Sequence, residues 1–378
     1  MLLFIFVACQ SVGSETGGPP ATVKDTDVYS DPSGGEASAR FVLSTQMLLN
    51  RSGRLFVYDR EQREEVWSLE NPGDPVWPDA RLSPDGRRIW HNVADVRNHD
   101  SSLSEIVSVD VTGAVDERYQ VDGAHHSFDF LGDGRIVTLV TEYRTFEEHG
   151  KVAGDRVAVL EDGMVSTLFS AFSVLEPEPV TDMWDFGHFE DAKDWTHADC
   201  IRWNEDLGRI LVTVPGLNAL WSLDSEGSLK AVYLGAGMER EPYENGPLYA
   251  EQPFEIYEGG LFDMPHGATL DSEGNIWVLS NGLGGQSRSF AEGYRPDGEG
   301  LELIAQIPPP VEGAHSAGLG GVVRLPGEDR AVINWGILGI IEEAGLDASR
   351  HWSVEGGLQE VYGNSTVFDD LSAFLEGG

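Results

Sequence analysis

His266–Asn281 reads HGATLDSEGNIWVLSN. A short alternating apolar run, a Ser-Glu-Gly-Asn turn and a second, denser apolar run describe a β-hairpin. Gly274 supplies the positive φ that a tight turn demands. The same phrase recurs with different words: DARLSPDGRRIWHNV (79–93), HSFDFLGDGRIVTLV (126–140), HADCIRWNEDLGRILVTV (197–214) and GGVVRLPGEDRAVINWG (320–336). QMLLNRSGRLFVYDR (46–60) can be read as a sixth copy. Most hairpins are followed by a third strand-like run, such as LSEIVSVDVTG, DRVAVLEDG or NALWSLDSEG. A single such sheet cannot cover its own apolar faces. A closed ring of them can, and closure leaves only short edges. Six units over residues 40–378 therefore predict an all-β fold, a six-bladed β-propeller.

The rest of the chain of 378 residues has another character. MLLFIFVAC (1–9) is too short to cross a bilayer. An apolar run ending in Ala8 before Cys9 resembles a lipoprotein-type signal, with Cys9 as the lipidated residue, although a basic start is missing. Residues 10–39 are rich in Gly, Ser, Pro and Asp and cannot build a core, so they read as a disordered tether. The expected location is outside the cytoplasm, lipid-anchored to the bacterial cell envelope, with no other membrane contact. A net charge of −39 excludes a nucleic-acid partner, because phosphate contacts need clustered Lys and Arg. Two cysteines, Cys9 and Cys200, leave no room for a disulfide framework.

The repeat gives the histidines a common address. His126 and His266 each stand eight residues before their hairpin glycine, and His197 stands eleven before Gly208. Equivalent inner-strand positions of a propeller converge on its axis, so these three imidazoles are expected around one cavity. Asp129, Asp194 and Asp199 stand close to them in sequence and can orient imidazole tautomers. Trp184, Trp195 and Trp203 suit either an aromatic wall or packing between blades, and Cys200 suits sheet packing. The long loops 172–193, which holds His188, and 236–260 both precede a motif histidine and are candidates to cover the channel mouth.

HHSFDFLGDGRIVTL (125–139), DWTHADCIRWNEDLGRILVTVPGLNALWSLD (194–224), MPHGATLDSEGNIWVLSNG (264–282) and GGVVRLPGEDRAVINWG (320–336) resemble, in order and spacing, the motifs of the bacterial arylsulfotransferase family. The resemblance runs from about Asp79 to Trp352, and the Asp-Trp-Thr-His motif is its most specific piece. It implies a secreted six-bladed propeller that transfers a sulfuryl group from an aryl sulfate to a phenol without a nucleotide donor or other cofactor. By the same resemblance His266 is the histidine that becomes a transient sulfohistidine, and His197 donates a proton or a hydrogen bond. His126, or its neighbour His125, helps bind the sulfuryl group; the spacing to Gly134 favours His126. One position departs: where the family carries an arginine that grips sulfate oxygens, this chain has Pro215, which offers no donor. Arg288 is the candidate replacement.

Two other readings follow from the same residues. A propeller that kept the fold and lost the chemistry would serve as a surface binding or scaffold module, and Pro215 favours it. Three imidazoles around an open position also suit Zn²⁺ or Cu²⁺ in a propeller hydrolase or lactonase, but no short-range ligand spacing supports a metal.

Overall fold

The structure is a computed structural model describing residues 22–24, 39–48, 53–71, 77–94, 104–148, 150–177, 191–282, 288–356 and 360–377. Cys9, Trp184 and His188 lie outside them, as does most of the expected tether.

Six antiparallel sheets stand in a ring, as the repeat predicts. In chain order after closure, the second blade is β5 (Ala80–Leu82), β6 (Ile89–Val93), β7 (Glu105–Val109) and β8 (Val115–Gln120). The third is β9 (Ala124–Phe130), β10 (Ile136–Phe146), β11 (Gly150–Glu161) and β12 (Met164–Ser170), with β13 (Lys193–Asp194) laid parallel on β11. The fourth is β14 (Cys200–Asn204), β15 (Arg209–Val214), β16 (Ala219–Leu223) and β17 (Leu229–Leu234), with β18 (Glu255–Tyr257) added outside. The fifth is β19 (Pro265–Leu270), β20 (Ile276–Ser280), β21 (Phe290–Asp297) and β22 (Gly300–Ile307). The sixth is β23 (Gly321–Arg324), β24 (Arg330–Asn334), β25 (Ile340–Gly345) and β26 (Arg350–Glu355), and β1 (Thr22–Lys24), from inside the expected tether, pairs with β26.

The first blade closes the ring. Its inner strand is β27 (Glu360–Phe368), from the chain's C-terminal end, paired with β2 (Phe41–Leu48), then β3 (Gly53–Asp59) and β4 (Glu64–Asn71). Phe41 stacks on Phe368 across that seam at 5.7 Å. The segment from Gln46 is thus a hairpin of the second and third strands of its blade, out of phase with the other five. Its true counterpart of β5 or β9 lies some three hundred residues away, which is why spacing alone misplaced it.

The core is likewise a ring. Six apolar clusters each join two neighbouring blades, for example Trp90 and Ile106 against Phe128 and Ile136, or Leu211 and Leu220 against Ala268 and Val278. Strand alternation sends successive side chains to opposite neighbours, so each sheet is apolar on both faces. Burying a large side chain such as Trp221 or Trp277, both 2% exposed, contributes about 2–3 kcal/mol. Among the described residues no helix is long and apolar enough to cross a membrane.

Candidate active site at the head of the inner strands

The inner strands β9, β14, β19 and β23 neighbour one another around the axis, and the motif histidines stand where three of them begin. Each ladder breaks there. In β9 His125 pairs with Leu139, the next pair is Phe128 with Thr138, and His126 between them is left-handed at φ 52°. His197 is left-handed at φ 45°, just ahead of β14. In β19 His266 pairs with Leu279, and the left-handed residue is Gly267, φ 52°. By place in the ladder His266 therefore corresponds to His125, not to His126 as the count to the hairpin glycine suggests. Non-glycine residues in this region are strained, and such strain persists where surrounding bonds hold it.

Those bonds come from Asp155 on β11. Its Oδ2 accepts the Thr196 hydroxyl at 2.7 Å and the Ala198 amide at 2.6 Å, bracketing His197. Its Oδ1 accepts from Nε2 of His125 at 2.9 Å. Burial works to raise the Asp155 pKa, but His125, Thr196 and the Ala198 amide outweigh it and hold the carboxyl below its ordinary range. Nδ1 of His125 meets Nδ1 of His126 at 2.8 Å, and the His126 ring meets that of His197 edge-on with centroids 5.4 Å apart.

His197 and His266 sit in opposite electrostatic settings. Nδ1 of His197 donates to Oδ2 of buried Asp194 at 2.7 Å. Burial disfavours the imidazolium, yet Asp194, helped by Asp155, raises the His197 pKa above its ordinary value. For His266 burial wins and brings the pKa down to about 4, with charge on His197 adding to it. Nδ1 of His266 donates to the Met264 carbonyl at 3.2 Å, which leaves the lone pair on Nε2. Oδ2 of Asp199 stands 3.4 Å from that nitrogen. Burial, with Asp155 adding, pushes the Asp199 pKa well up. Burial thus pushes both partners of this pair toward their neutral forms.

His126, His197 and His266 are thus brought to one site, with His125 directly behind His126. Arg288 is exposed. Pro215 is buried at the start of a 3₁₀ turn whose Gly216 amide donates to the Thr196 carbonyl, so this position braces the His197 segment. The inner-strand arginines Arg81 and Arg202 are both bonded to Asp79. Trp195 is buried and stacked on Phe172, Cys200 is buried, and Asp129 accepts from the Trp203 amide, so these residues pack rather than line the site. The 236–260 insertion buries Tyr243 and Phe254 in the core between the third and fourth blades. Among the described residues no group of three or more His, Cys, Asp or Glu is placed to hold a metal ion. Asp155 escaped the sequence reading; its signal was a lone carboxylate within the apolar run KVAGDRVAVL.

Fold and site together define a six-bladed propeller with imidazole–carboxylate pairs gathered at one end of its inner strands. Residues 53–233, just under half of the chain, match the model of the arylsulfotransferase (ASST) family, so that part of the propeller is similar to it. The matched stretch contains His125, His126, Asp155, Asp194 and His197 and ends before His266. No curated protein matches the chain. Among solved structures, a protein of unknown function from Bacteroides caccae superposes with a TM-score of 0.52 at 10% identity, over 88% of this chain and 100% of that one. A functionally unknown protein from Desulfotomaculum acetoxidans gives 0.49 at 11% identity, over 86% and 98%. At such identity the first shows a shared fold and nothing of activity.

Proposed function

We propose that this chain is an exported enzyme that moves a sulfuryl group from an aryl sulfate to a phenolic acceptor through an N–S bond on His266. The observation that carries the reading is the state of His266. Its Nδ1–H is committed to the Met264 carbonyl and burial holds the ring neutral down to about pH 4, so Nε2 offers an electron pair at neutral pH. In the first half-reaction Nε2 attacks sulfur, the sulfur–oxygen bond to the aryl group breaks, and the departing phenolate takes a proton from the His197 imidazolium. Asp194 sustains that imidazolium. In the second half the acceptor oxygen bonds to sulfur, the N–S bond breaks, and the acceptor's proton passes to a base. With Pro215 at the family's arginine position, His197 supplies the positive charge for the sulfuryl oxygens.

The test is a chromogenic aryl sulfate with a phenol. Transfer that disappears in His266→Ala, with label from the donor trapped on His266 in the wild type, supports the proposal. A wild type that neither transfers nor becomes labelled refutes it and favours the second reading, a binding module, for which Pro215 speaks. Export and lipidation rest on MLLFIFVAC and the polar stretch after it. The protein should leave the membrane fraction when Cys9 is replaced by Ser, and a wild type already soluble in the cytoplasm would overturn that part.

A further inference from the structure

We propose that Asp155, His125 and His126 form a relay that fixes the tautomer of His126 and makes its Nε2 the base for the incoming acceptor hydroxyl. The identity of the acceptor rests on the sulfotransfer reading; the relay itself rests on geometry. Asp155 receives three donors on its two oxygens, a ring N–H, a hydroxyl and a backbone amide. A protonated carboxyl would waste one of these positions, so Asp155 is ionised, as its lowered pKa agrees. The proton between Asp155 and His125 is then on Nε2 of His125. A neutral His125 has its lone pair on Nδ1, so across the 2.8 Å contact His126 must donate from its own Nδ1. A neutral His126 is left with its lone pair on Nε2.

Among the described residues the titratable groups around the relay include Asp155 from β11, Tyr143 from β10, Asp194 from β13, His197 and Asp199 from the segment leading into β14, and His266 from β19. They divide the work. His197, tilted toward its charged form by Asp194, is the acid for the departing phenolate. His126 is the base. When the acceptor oxygen attacks the sulfur on His266, its O–H bond breaks and the proton moves to Nε2 of His126, while the N–S bond electrons return to His266. The new imidazolium keeps donating to Nδ1 of His125, and the charge is stabilised through that ring by Asp155. Asp155 and His125 are positioning residues: they touch no reacting atom and set the proton position on the one that does. The left-handed backbone of His126 and the bracketing of left-handed His197 by the same carboxylate fit this account, since one side chain orders both rings.

The test uses the full chain labelled with ¹⁵N in its histidines and long-range proton–nitrogen spectra at neutral pH. The wild type should show His126 protonated on Nδ1 and bare on Nε2. In Asp155→Asn the amide oxygen can keep Thr196 and Ala198, while its NH₂ faces His125 and forces both rings into the opposite tautomer. Phenol release in the first half-reaction, where His197 loses the nearby Asp155 charge but keeps Asp194, should fall less than the second half, which should slow by roughly 10²–10⁴-fold. If that variant does not fold, His125→Asn cuts the relay and leaves Asp155 its bonds to Thr196 and Ala198. A wild-type His126 protonated on Nε2, with His125 the imidazolium, overturns the proposal. So does an Asp155→Asn variant with unchanged tautomers or an undiminished second half. A wild type without transfer defeats the sulfotransfer reading, and the spectra still decide the relay.

Discussion

Gly267→Ala probes the place where the fifth and sixth blades meet the axis. A Cβ on Gly267 would fall inside van der Waals contact with the Gly320 carbonyl oxygen and Gly321 Cα and 2.9 Å from the Gly320 carbonyl carbon. All of these are backbone atoms of or beside inner strand β23, so no side chain can swing away. The residue is also left-handed at φ 52°, which costs an alanine about 1 kcal/mol. Forcing the strands apart adds about 1–3 kcal/mol, for a total of about 2–4 kcal/mol. Gly274→Ala is the control. It is left-handed too, φ 83°, but its Cβ meets only a Leu207 methyl at 3.9 Å, so it bears the conformational cost alone. Urea unfolding of both variants should separate them by about 1–3 kcal/mol. Because Gly267 follows His266, the same shift of about an ångström should cost roughly 10²-fold in histidine sulfation, which Gly274→Ala should spare. Equal destabilisation of the two variants would refute the close approach of β19 and β23, and with it the placement of His266.

Three further outcomes follow from the charge settings. Asp194→Asn removes the partner that raises His197, so the imidazole titration seen by NMR should shift down, and transfer from poorly activated aryl sulfates should fall most; an unmoved titration counts against the pairing. Labelling of His266 needs its neutral ring, so it should persist below the ordinary histidine pKa and fail only as the pH drops through about 4; loss near pH 6.5 contradicts that. His91, buried against Trp77, is likewise held down to about 4. Its folded pKa is depressed, so its contribution is whole above about pH 6.5 and is lost as the pH falls toward 4. Unfolding free energies of wild type and His91→Phe should therefore diverge by about 3 kcal/mol across that window, with the wild type losing more.

The propeller was legible because its evidence is local. A strand–turn–strand unit fits in fifteen to eighteen residues, and its glycine marks the turn. The closing blade was not, because β27 and β2 meet only when the ring is complete and no spacing encodes that. The site divides along the same line. His126, His197 and His266 could be found from their offsets to a hairpin glycine, although the offset misaligned His266 by one residue because β19 breaks its ladder at Gly267. Asp194, three residues from His197, was within reach of the same reasoning. Asp155 was not: it lies thirty residues from His125 and forty-one from Thr196, on a third strand whose pattern looks like ordinary packing. Arg288 shows the converse, since it follows a motif histidine in sequence yet is exposed.

What makes the site more than a gathering of histidines is that like pairs have been given unlike protonation. Asp155 with His125, Asp194 with His197 and Asp199 with His266 are all an aspartate beside an imidazole. Asp155 is held ionised by three donors. Asp194 draws His197 toward its charged form. Asp199 has one oxygen without a hydrogen-bond partner among the described residues, and burial raises its pKa well above the usual carboxylate range. At closely similar burial, the number of donors separates Asp155 from Asp199. The chain's acidity is then no obstacle to an anionic substrate at this end of the axis. Of the carboxylates nearest the rings, Asp155 and Asp194 are engaged by donors and burial pushes Asp199 toward its neutral form, so in the proposed reaction the sulfuryl group would meet His197, which Asp194 tilts toward its charged form. Adding a charge-fixing donor to Asp199 would undo this arrangement first, by favouring the ionised form of the carboxyl that faces His266.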